Sequence, residues 1–288
     1  MADRTKIEWA DATLNSIKGC TPVSDACKNC CALRMARMCA RMHTGRYDEV
    51  IDTKTGQWNG NVIFDREALK VIDYWKKPRR IFHNLMGDTF HEKSRPEWFI
   101  ELYRLAEQTP QHTHIFLTKR PENLIRFYFG EGGIVEYRWK SFPLQNVWIG
   151  TTIETQAHIL RLKNLSEIPA AVRFVSAEPL LGPLNFGDSI HLLGWVIVGG
   201  ESGSGARPTN PEWVRSLRDQ CEQYNVPFLF KQWGEWLPDN LCMNHWPKKG
   251  KGILLEGGAN MIRMGRSRAA KLGIHNMLYG RTHLEYPA

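Results

Sequence analysis

Apolar and polar positions follow a repeating order through the middle of the chain. Short runs rich in β-branched and aromatic residues predict strands, and amphipathic stretches of helical length lie between them. The predicted strands cover residues 79–85, 112–118, 146–152, 172–178, 194–200 and 227–233, with a weaker one at 61–64. The predicted helices cover residues 95–108, 120–129, 154–165 and 210–224. Proline in the first turn, where a missing N–H costs nothing, supports three of these helices.

The alternation of strands and helices predicts the fold class. Strands separated by helices pair in parallel through right-handed crossovers, and six or more such units form a barrel or a doubly wound sheet. We predict an α/β fold and favour a complete or partial (β/α) barrel of the TIM type. The barrel domain is predicted to cover residues 1–237, with a cysteine-rich loop near its start. Residues 238–288 are rich in glycine, lysine and arginine without a period, which predicts an irregular C-terminal extension packed on the barrel.

Charged residues follow nearly every predicted strand. In parallel α/β folds the active site gathers at the C-terminal edge of the strands, so these residues are candidates for chemistry. The candidate catalytic residues are Asp88, Glu92, Lys119, Arg120, Glu178 and Lys231. Charged side chains also follow buried strands simply because the chain returns to water there. We favour function because the arrangement recurs after successive strands, and we add His91 as a candidate acid or base.

Composition and charge limit the kinds of binding partner and the cellular location that we expect. The chain of 288 residues carries a net charge of +8, which weakly favours a polyanionic partner such as nucleic acid or a phosphorylated substrate. The basic residues are spread out, however, and a solvated surface accounts for them equally well. Apolar runs are far shorter than the roughly 18 residues of a membrane span, so no membrane is expected. The first residues lack a secretory signal, and we therefore expect a cytoplasmic protein.

Three of the seven cysteines lie close together, at Cys20, Cys27 and Cys30. An odd number of cysteines in a reducing compartment predicts metal ligands or reactive thiols better than a disulfide framework. Three thiolates can hold a [4Fe–4S] cluster with one iron open to S-adenosylmethionine. A structural zinc ion is the alternative, and it needs a fourth ligand. Candidates for that ligand are Cys31, Cys39, His43 or a remote residue. A chance grouping or an oxidation-sensitive surface also remains open.

A glycine-rich turn, VGGESGSGARP at residues 198–208, leaves one predicted strand and precedes a helix. Glycine lets the backbone approach a ligand closely, exposed amides can hold an anion, and a carboxylate can hold an amine or a hydroxyl. The predicted cofactor-binding residues are Gly199, Gly200, Glu201, Ser202 and Arg207. A zwitterionic ligand such as S-adenosylmethionine would suit this turn. The plain alternative is a flexible connection between a strand and a helix.

Six segments occur in one order along the chain: CTPVSDACKNC, MGDTFHE, LTKRPENL, VSAEPLLGPL, VGGESGSGARP and FLFKQWGEW. With GRTHLEYP near the end, they resemble the phage-associated three-Cys-motif protein family, which is of unknown function and similar to radical S-adenosylmethionine enzymes. The resemblance covers nearly the whole chain. It implies a barrel of radical-SAM type with an iron–sulfur cluster on Cys20, Cys27 and Cys30, in a phage-infected or prophage-bearing bacterial host. Cys31 stands where members of the family usually carry an aromatic residue.

The residues and the resemblance together lead to one preferred hypothesis and one alternative. We expect an enzyme that cleaves S-adenosylmethionine reductively to a 5′-deoxyadenosyl radical, which then abstracts hydrogen from a substrate. The expected substrate is nucleic acid or a nucleotide, in modification or repair, since the resemblance also extends loosely to spore photoproduct lyases. An external electron donor is implied, and a partner protein could complete the site. The alternative is a zinc- or cluster-stabilised protein that binds nucleic acid without catalytic turnover.

Overall fold

Every strand predicted from the repeating pattern forms in the structure. The structure is a computed structural model, and it describes residues 5–42, 45–239, 252–255, 259–264, 277–278 and 281–287. The helices are α1 (Cys31–Arg41), α2 (Pro96–Gln108), α3 (Leu124–Phe129), α4 (Leu160–Ser166) and α5 (Pro211–Gln223). The strands are β1 (Ala12–Leu14), β2 (Ile17–Lys18), β3 (Ile63–Phe64), β4 (Arg80–His83), β5 (Thr113–Thr118), β6 (Val147–Thr152), β7 (Val172–Ala177), β8 (Trp195–Gly199), β9 (Phe228–Gln232), β10 (Trp236–Pro238), β11 (Gly252–Leu254), β12 (Asn260–Arg263), β13 (Met277–Leu278) and β14 (Arg281–Thr282).

Seven strands form the main sheet, in the order β1-β4-β5-β6-β7-β8-β9. The pairs β1–β4, β4–β5, β5–β6, β7–β8 and β8–β9 are all parallel. An α-helix follows β4, β5, β6 and β8, which is the alternation of a (β/α) barrel. The sheet has seven strands, one fewer than a complete barrel, and the fold is therefore the partial (β/α) barrel, one of the two predicted forms.

Strand β1 is absent from the predicted set. Its three residues, Ala12–Leu14, contain no run of β-branched side chains, although all three are buried. Their burial comes from parallel pairing with β4 and from a cluster that includes Ile72 and Trp75. The weak strand predicted at residues 61–64 forms only as β3, which pairs antiparallel with β2 outside the main sheet.

The predicted helices begin close to their proline signals. Pro96 and Pro211 occupy the first turns of α2 and α5, and Pro121 begins the short 3-10 helix before α3. The Asn210 side chain caps α5 by accepting a hydrogen bond of 2.9 Å from the amide of Glu212. Of the helices in the described part of the chain, none is both long and apolar enough to cross a bilayer.

Contacts within the chain divide it into two compact units, which are described separately. Unit 1 comprises Met1–Thr151 and Arg161–Arg173, and unit 2 comprises Thr152–Leu160 and Phe174–Ala288. The cysteine-rich loop belongs to unit 1, and the glycine-rich turn belongs to unit 2. The domain boundary predicted at residue 237 stays a prediction.

Much of the predicted C-terminal extension lies outside the described residues. Within unit 2, its described part contributes β11 and β12 to a three-stranded antiparallel sheet with β10. The segment 281–287 hydrogen-bonds to β9, because the Phe230 amide donates to the carbonyl of His283 (2.8 Å) and the Glu285 amide donates to that of Phe228 (3.2 Å). This part of the extension is thus bonded to the last strand of the main sheet.

Candidate functional site

Cys20 lies just after β2, where Gly19 constrains the backbone tightly. Gly19 has a φ of +95°, and a Cβ atom there would lie 2.1 Å from the carbonyl oxygen of Asn61, so only glycine fits. Its amide donates to the carbonyl of Met86 (3.1 Å), and a parallel bridge joins it to Gly87. These contacts fix Cys20 beside the loop that follows β4.

Cys27 and Cys30 are held by the short 3-10 helix Asp25–Asn29, which leads into α1. The Cys27 amide donates to the carbonyl of Ser24 (2.9 Å), and the Cys30 amide donates to that of Cys27 (3.3 Å). Helix α1 begins at the next residue and packs its small apolar face against Tyr47 and Val50. The loop that carries the three cysteines is thus anchored at both ends within unit 1.

The three predicted ligand thiols are free and half-buried, whereas Cys31 is exposed. Burial raises the pKa of Cys20 to about 12, and the nearby Asp88 carboxylate adds to this effect. Burial likewise raises the pKa of Cys30. Both would give up their protons only when a positive charge compensates.

The number of thiols in the loop matches the three that an open-site iron–sulfur cluster needs, whereas a closed zinc site needs four ligands. Cys20, Cys27 and Cys30 supply three free thiols from one loop. Among the described residues, no three Cys, His, Asp or Glu side chains already surround a common point, so the loop would have to adjust to bind a metal group. Cys39 packs in the apolar cluster of α1, and His43 lies outside the described residues. The fourth thiolate or imidazole that structural zinc requires is thus not in place in the described part of the loop.

Arg120 is the buried centre of a polar network in unit 1. Its side chain is 1% exposed, and its Nη2 donates to both the carbonyl oxygen and the Oγ1 of Thr21, at 2.7 Å each. Its Nε donates to Oε1 of Glu92 (2.8 Å), and its Nη1 lies 3.5 Å from Sγ of Cys20 and 3.4 Å from Oδ2 of Asp88. Burial alone would lower the pKa of Arg120, but these anionic neighbours outweigh it and raise the pKa. The guanidinium therefore stays charged.

Asp88 joins the loop after β4 to the end of β5. Its Oδ1 accepts hydrogen bonds from the Phe90 amide (3.0 Å) and the Thr118 hydroxyl (2.7 Å). Its Oδ2 accepts from the Lys119 amide (3.1 Å) and from Arg120. Four donors thus satisfy this one carboxylate and tie the loop after β4 to the end of β5.

His91 and Glu92 form an acid–base pair beside the cysteine loop. Nδ1 of His91 accepts a hydrogen bond from the Lys93 amide (3.1 Å), so the neutral ring carries its proton on Nε2. That nitrogen lies 2.9 Å from Oγ1 of Thr21 and 3.3 Å from Oε2 of Glu92. Burial lowers the pKa of His91, and the charge of Arg120 lowers it further. Burial would raise the pKa of Glu92, but hydrogen bonds to its backbone amide and to Arg120 outweigh it and lower the pKa.

In unit 2, the glycine-rich turn after β8 packs against the turn after β9. A Cβ atom on Gly200 would lie 2.0 Å from the carbonyl oxygen of Trp233, and one on Gly234 would lie 2.0 Å from that of Glu201. The Glu235 amide also donates to the carbonyl of Glu201 (3.0 Å). These two glycines are therefore required for contact between backbones, a role that the sequence alone does not distinguish from the approach of a ligand.

Glu201 and Arg207 form an ion pair inside the glycine-rich turn. Oε2 of Glu201 accepts hydrogen bonds from the amide (2.8 Å) and Nε (2.9 Å) of Arg207, and its Oε1 accepts from Nη2 (2.7 Å). Glu201 is 5% exposed. The two predicted cofactor-binding charges thus compensate each other, and a ligand amine would share the carboxylate with Arg207.

Gln232, the last residue of β9, presents an open acceptor. Its Nε2 donates to the carbonyl of Gly200 (3.3 Å) and to Oγ of Ser202 (3.0 Å), which fixes the orientation of the amide. Its Oε1 is buried and has no hydrogen-bond partner among the described residues. A buried acceptor of this kind suits an N–H or O–H of a ligand.

Glu178 and Lys231 form a half-buried ion pair at the ends of β7 and β9. Nζ of Lys231 lies 2.8 Å from Oε1 of Glu178, and the Ser176 hydroxyl donates to Oε2 (3.1 Å). A Cβ atom on Gly199 would lie 2.7 Å from Oε1 of Glu178. Gly199 therefore makes room for the carboxylate.

The predicted site residues fall into two groups. Unit 1 brings Asp88, Glu92, Lys119 and Arg120 together with the cysteine loop, and unit 2 brings Glu178 and Lys231 together with the glycine-rich turn. Sequence reasoning did not identify Thr21 or Thr118, both of which hydrogen-bond within the network of Arg120. The position of Thr21 directly after the first cysteine was the available signal.

Comparisons with solved structures give distant likenesses to spore photoproduct lyase. A variant of that enzyme with bound AdoMet and dinucleoside spore photoproduct is 11% identical, with a TM-score of 0.44 over 95% of this chain and 74% of the other. The enzyme complexed with dinucleoside spore photoproduct is 12% identical, with a TM-score of 0.42 over 95% and 74%. A further variant is 10% identical, with a TM-score of 0.41 over 100% and 79%. Similarity this low carries no argument about the activity of this chain.

A family model gives the clearer result. No curated protein matches the sequence. The model described as "Protein of unknown function (DUF5131)" matches residues 4–287. The expected association with phage stays a prediction. Because the match spans nearly the whole sequence, the chain belongs to the DUF5131 family of proteins of unknown function.

Proposed function

We propose that this chain is an iron–sulfur enzyme of the radical S-adenosylmethionine type that acts on nucleic acid or a nucleotide. The observation that carries the proposal is the loop with three free, half-buried thiols, fixed by Gly19 and Arg120 beside the loop that follows β4. In (β/α) barrels the chemistry takes place at the C-terminal ends of the strands, where this loop lies. Three thiolates leave one iron of a [4Fe–4S] cluster for a further ligand.

Cys20, Cys27 and Cys30 would each bind one iron of the cluster. Such a group, when bound, supplies reductive cleavage of S-adenosylmethionine and a radical that abstracts hydrogen. The chain itself would exclude water, because Cys20 and Cys30 are both half-buried. Glu92 and neutral His91 would supply a base and a proton carrier next to the loop. Reduction of the cluster requires an external electron donor.

The glycine-rich turn of unit 2 remains our proposed cofactor-binding segment, through Gly199, Gly200, Glu201, Ser202 and Arg207. We add Gln232, whose open Oε1 can accept a hydrogen bond from an amine of the cofactor. We retain Glu178 and Lys231 in unit 2, and Lys119 and Asp88 in unit 1, as proposed substrate-contacting residues. The net charge of +8 supports a polyanionic substrate.

The test is a metal analysis of protein purified without oxygen. We expect about four irons and matching sulfide per chain, with an electron paramagnetic resonance spectrum after dithionite that changes when S-adenosylmethionine is added. One zinc per chain, no iron and no response to S-adenosylmethionine would overturn the proposal. That outcome would favour a zinc-stabilised protein that binds nucleic acid without turnover.

A further inference from the structure

Arg120 is a buried charge whose partners lie on the cysteine loop. It lies two residues after the end of β5, its amide donates to Oγ1 of Thr118 (2.9 Å), and its side chain is 1% exposed. Burying a guanidinium is costly unless its donors are all paired, and removing its partners is strongly destabilising. The groups that pair with the Arg120 guanidinium therefore indicate why this side chain is buried.

The planar guanidinium group of Arg120 makes two hydrogen bonds to Thr21, the residue next to Cys20. Nη2 bonds both the carbonyl oxygen and the hydroxyl of Thr21 at 2.7 Å, which fixes the residue that follows Cys20. Nη1 lies 3.5 Å from Sγ of Cys20 itself, within hydrogen-bond range for sulfur. One side chain thus contacts the thiol of the first predicted ligand and holds the residue that follows it.

The remaining contacts of Arg120 leave none of its nitrogens for a substrate. Nε bonds Glu92 (2.8 Å), and Nη1 also lies 3.4 Å from Asp88. Asp88 has three further donors, from Phe90, Thr118 and Lys119, so its oxygens are satisfied without relying on Nη1 alone. Nη1 of Arg120 is therefore shared between Asp88 and Sγ of Cys20.

We propose that Arg120 is a positioning residue that holds Cys20 as a cluster ligand and sets the reduction potential of the cluster through its charge. This inference rests on the proposed function. A positive neighbour stabilises a thiolate, and hydrogen bonds to sulfur together with net charge determine the potential of an iron–sulfur centre. Uptake of one electron from dithionite makes the centre more negative, which a guanidinium in contact with the thiolate favours. Arg120 itself neither gains nor loses a proton in this step.

The test compares Arg120→Met, Arg120→Lys and Glu92→Gln with a matched control, Arg126→Met. Arg126 is the control because it bonds the carbonyls of His91, Glu92 and Ser94 in the same region and touches no cysteine. Each variant is reconstituted without oxygen, checked by circular dichroism, and measured for iron and sulfide after a chelator challenge. The midpoint potential is then read from a dithionite titration followed by electron paramagnetic resonance.

Arg120→Met should retain iron about 10-fold less well and reduce at a more negative potential. Arg120→Lys should keep a reduction potential near that of the wild type but lose iron, because lysine keeps the positive charge but lacks the guanidinium that makes both hydrogen bonds to Thr21. Glu92→Gln should shift the potential positively, and Arg126→Met should change neither quantity.

A folded Arg120→Met protein with wild-type iron retention and potential overturns the inference. If Arg120→Met does not fold, wild-type iron retention in Arg120→Lys together with an unshifted potential in Glu92→Gln overturns it instead. A wild-type protein that takes up no iron and sulfide contradicts the proposed function itself, and this inference falls with it.

Discussion

Cys27 and Cys31 differ in setting although they are four residues apart. Cys27 is half-buried on the 3-10 helix Asp25–Asn29, and Cys31 is exposed in the first turn of α1. We expect Cys27→Ala to lose most of the iron and sulfide after anaerobic reconstitution, because the cluster then lacks one of its three ligands. Cys31→Ala should retain the wild-type content. Equal iron in both variants would contradict the ligand assignment.

Buried His83 makes the stability of the fold depend on pH, and this dependence does not involve a metal. Its ring stacks on Phe116 at 4.4 Å, and its Nε2 lies 2.9 Å from Nδ1 of His114. Burial lowers the pKa of His83 from 6.5 to about 3. Between these two values the unfolded chain binds a proton that the folded chain does not, so this part of the stability is complete above pH 6.5 and is lost as the pH falls towards 3.

We therefore expect the free energy of unfolding to fall by about 2 kcal/mol between pH 7 and pH 5 on account of His83. His83→Phe preserves the stacking on Phe116 and should reduce this slope, although His114, whose pKa is also lowered by burial, keeps part of it. The exposed Gln145 provides the control, since Gln145→Ala removes no titratable group and should leave the slope unchanged. Urea unfolding at a series of pH values measures all three proteins. The same slope in His83→Phe and the wild type would show that the buried imidazole does not resist protonation.

At the scale of elements, the contact between the turns after β8 and β9 depends on glycine. Gly200→Ala would place a Cβ atom 2.0 Å from the carbonyl oxygen of Trp233, so the two turns would have to separate. We expect a loss of about 2 kcal/mol or more in unfolding free energy. Gly182→Ala is the matched control in the same unit, since its Cβ would meet Thr155 at an ordinary 3.6 Å. It should stay within about 0.5 kcal/mol of the wild type in chemical denaturation. A similar change in both would mean that the turns are not tightly packed.

The strands and helices that the sequence predicted share one property: their signals are local. Each of the six main strands carries its own apolar run, and α2 and α5 carry their own prolines. Strand β1 was missed because its burial comes from β4 and the cluster around Trp75, and α1 was not predicted because it buries only Ala32, Leu33 and Ala36. Strand β1 thus depends on partners distant in sequence, which periodicity does not reveal, whereas α1 has too small an apolar face to stand out in the pattern.

For the candidate site too, the sequence revealed the residues that have a local signal and not their distant partners. The rule that active sites gather at strand ends identified Asp88, Glu92, Lys119 and Arg120, which do share one network. It could not identify their partners, because the hydrogen bond between Arg120 and Thr21 joins residues that are 99 positions apart. For the glycine-rich turn, the sequence could not show what the glycines approach, because a close contact between backbones and a close contact with a ligand both require glycine.

For the whole molecule, the net charge of +8 predicts how nucleic acid should bind. If the substrate is polyanionic, the affinity for a single-stranded oligonucleotide should fall linearly with salt on logarithmic axes, because bound counterions are released. Fluorescence anisotropy measures this slope. An oligonucleotide of the same sequence with an uncharged methylphosphonate backbone is the control, and it should bind at least about 10-fold more weakly. Equal affinity for both, without a salt dependence, would exclude recognition of the phosphate backbone.

The contact between Arg120 and Thr21 also has a consequence for biosynthesis. The ribosome makes the cysteine-bearing loop first and adds Arg120 only 99 residues after Thr21, roughly 5 to 20 s later at ordinary elongation rates. During that interval the nascent chain carries Cys20 without the guanidinium that later encloses it. If the loop takes up a cluster as we propose, uptake that depends on this contact can begin only once Arg120 has left the exit tunnel.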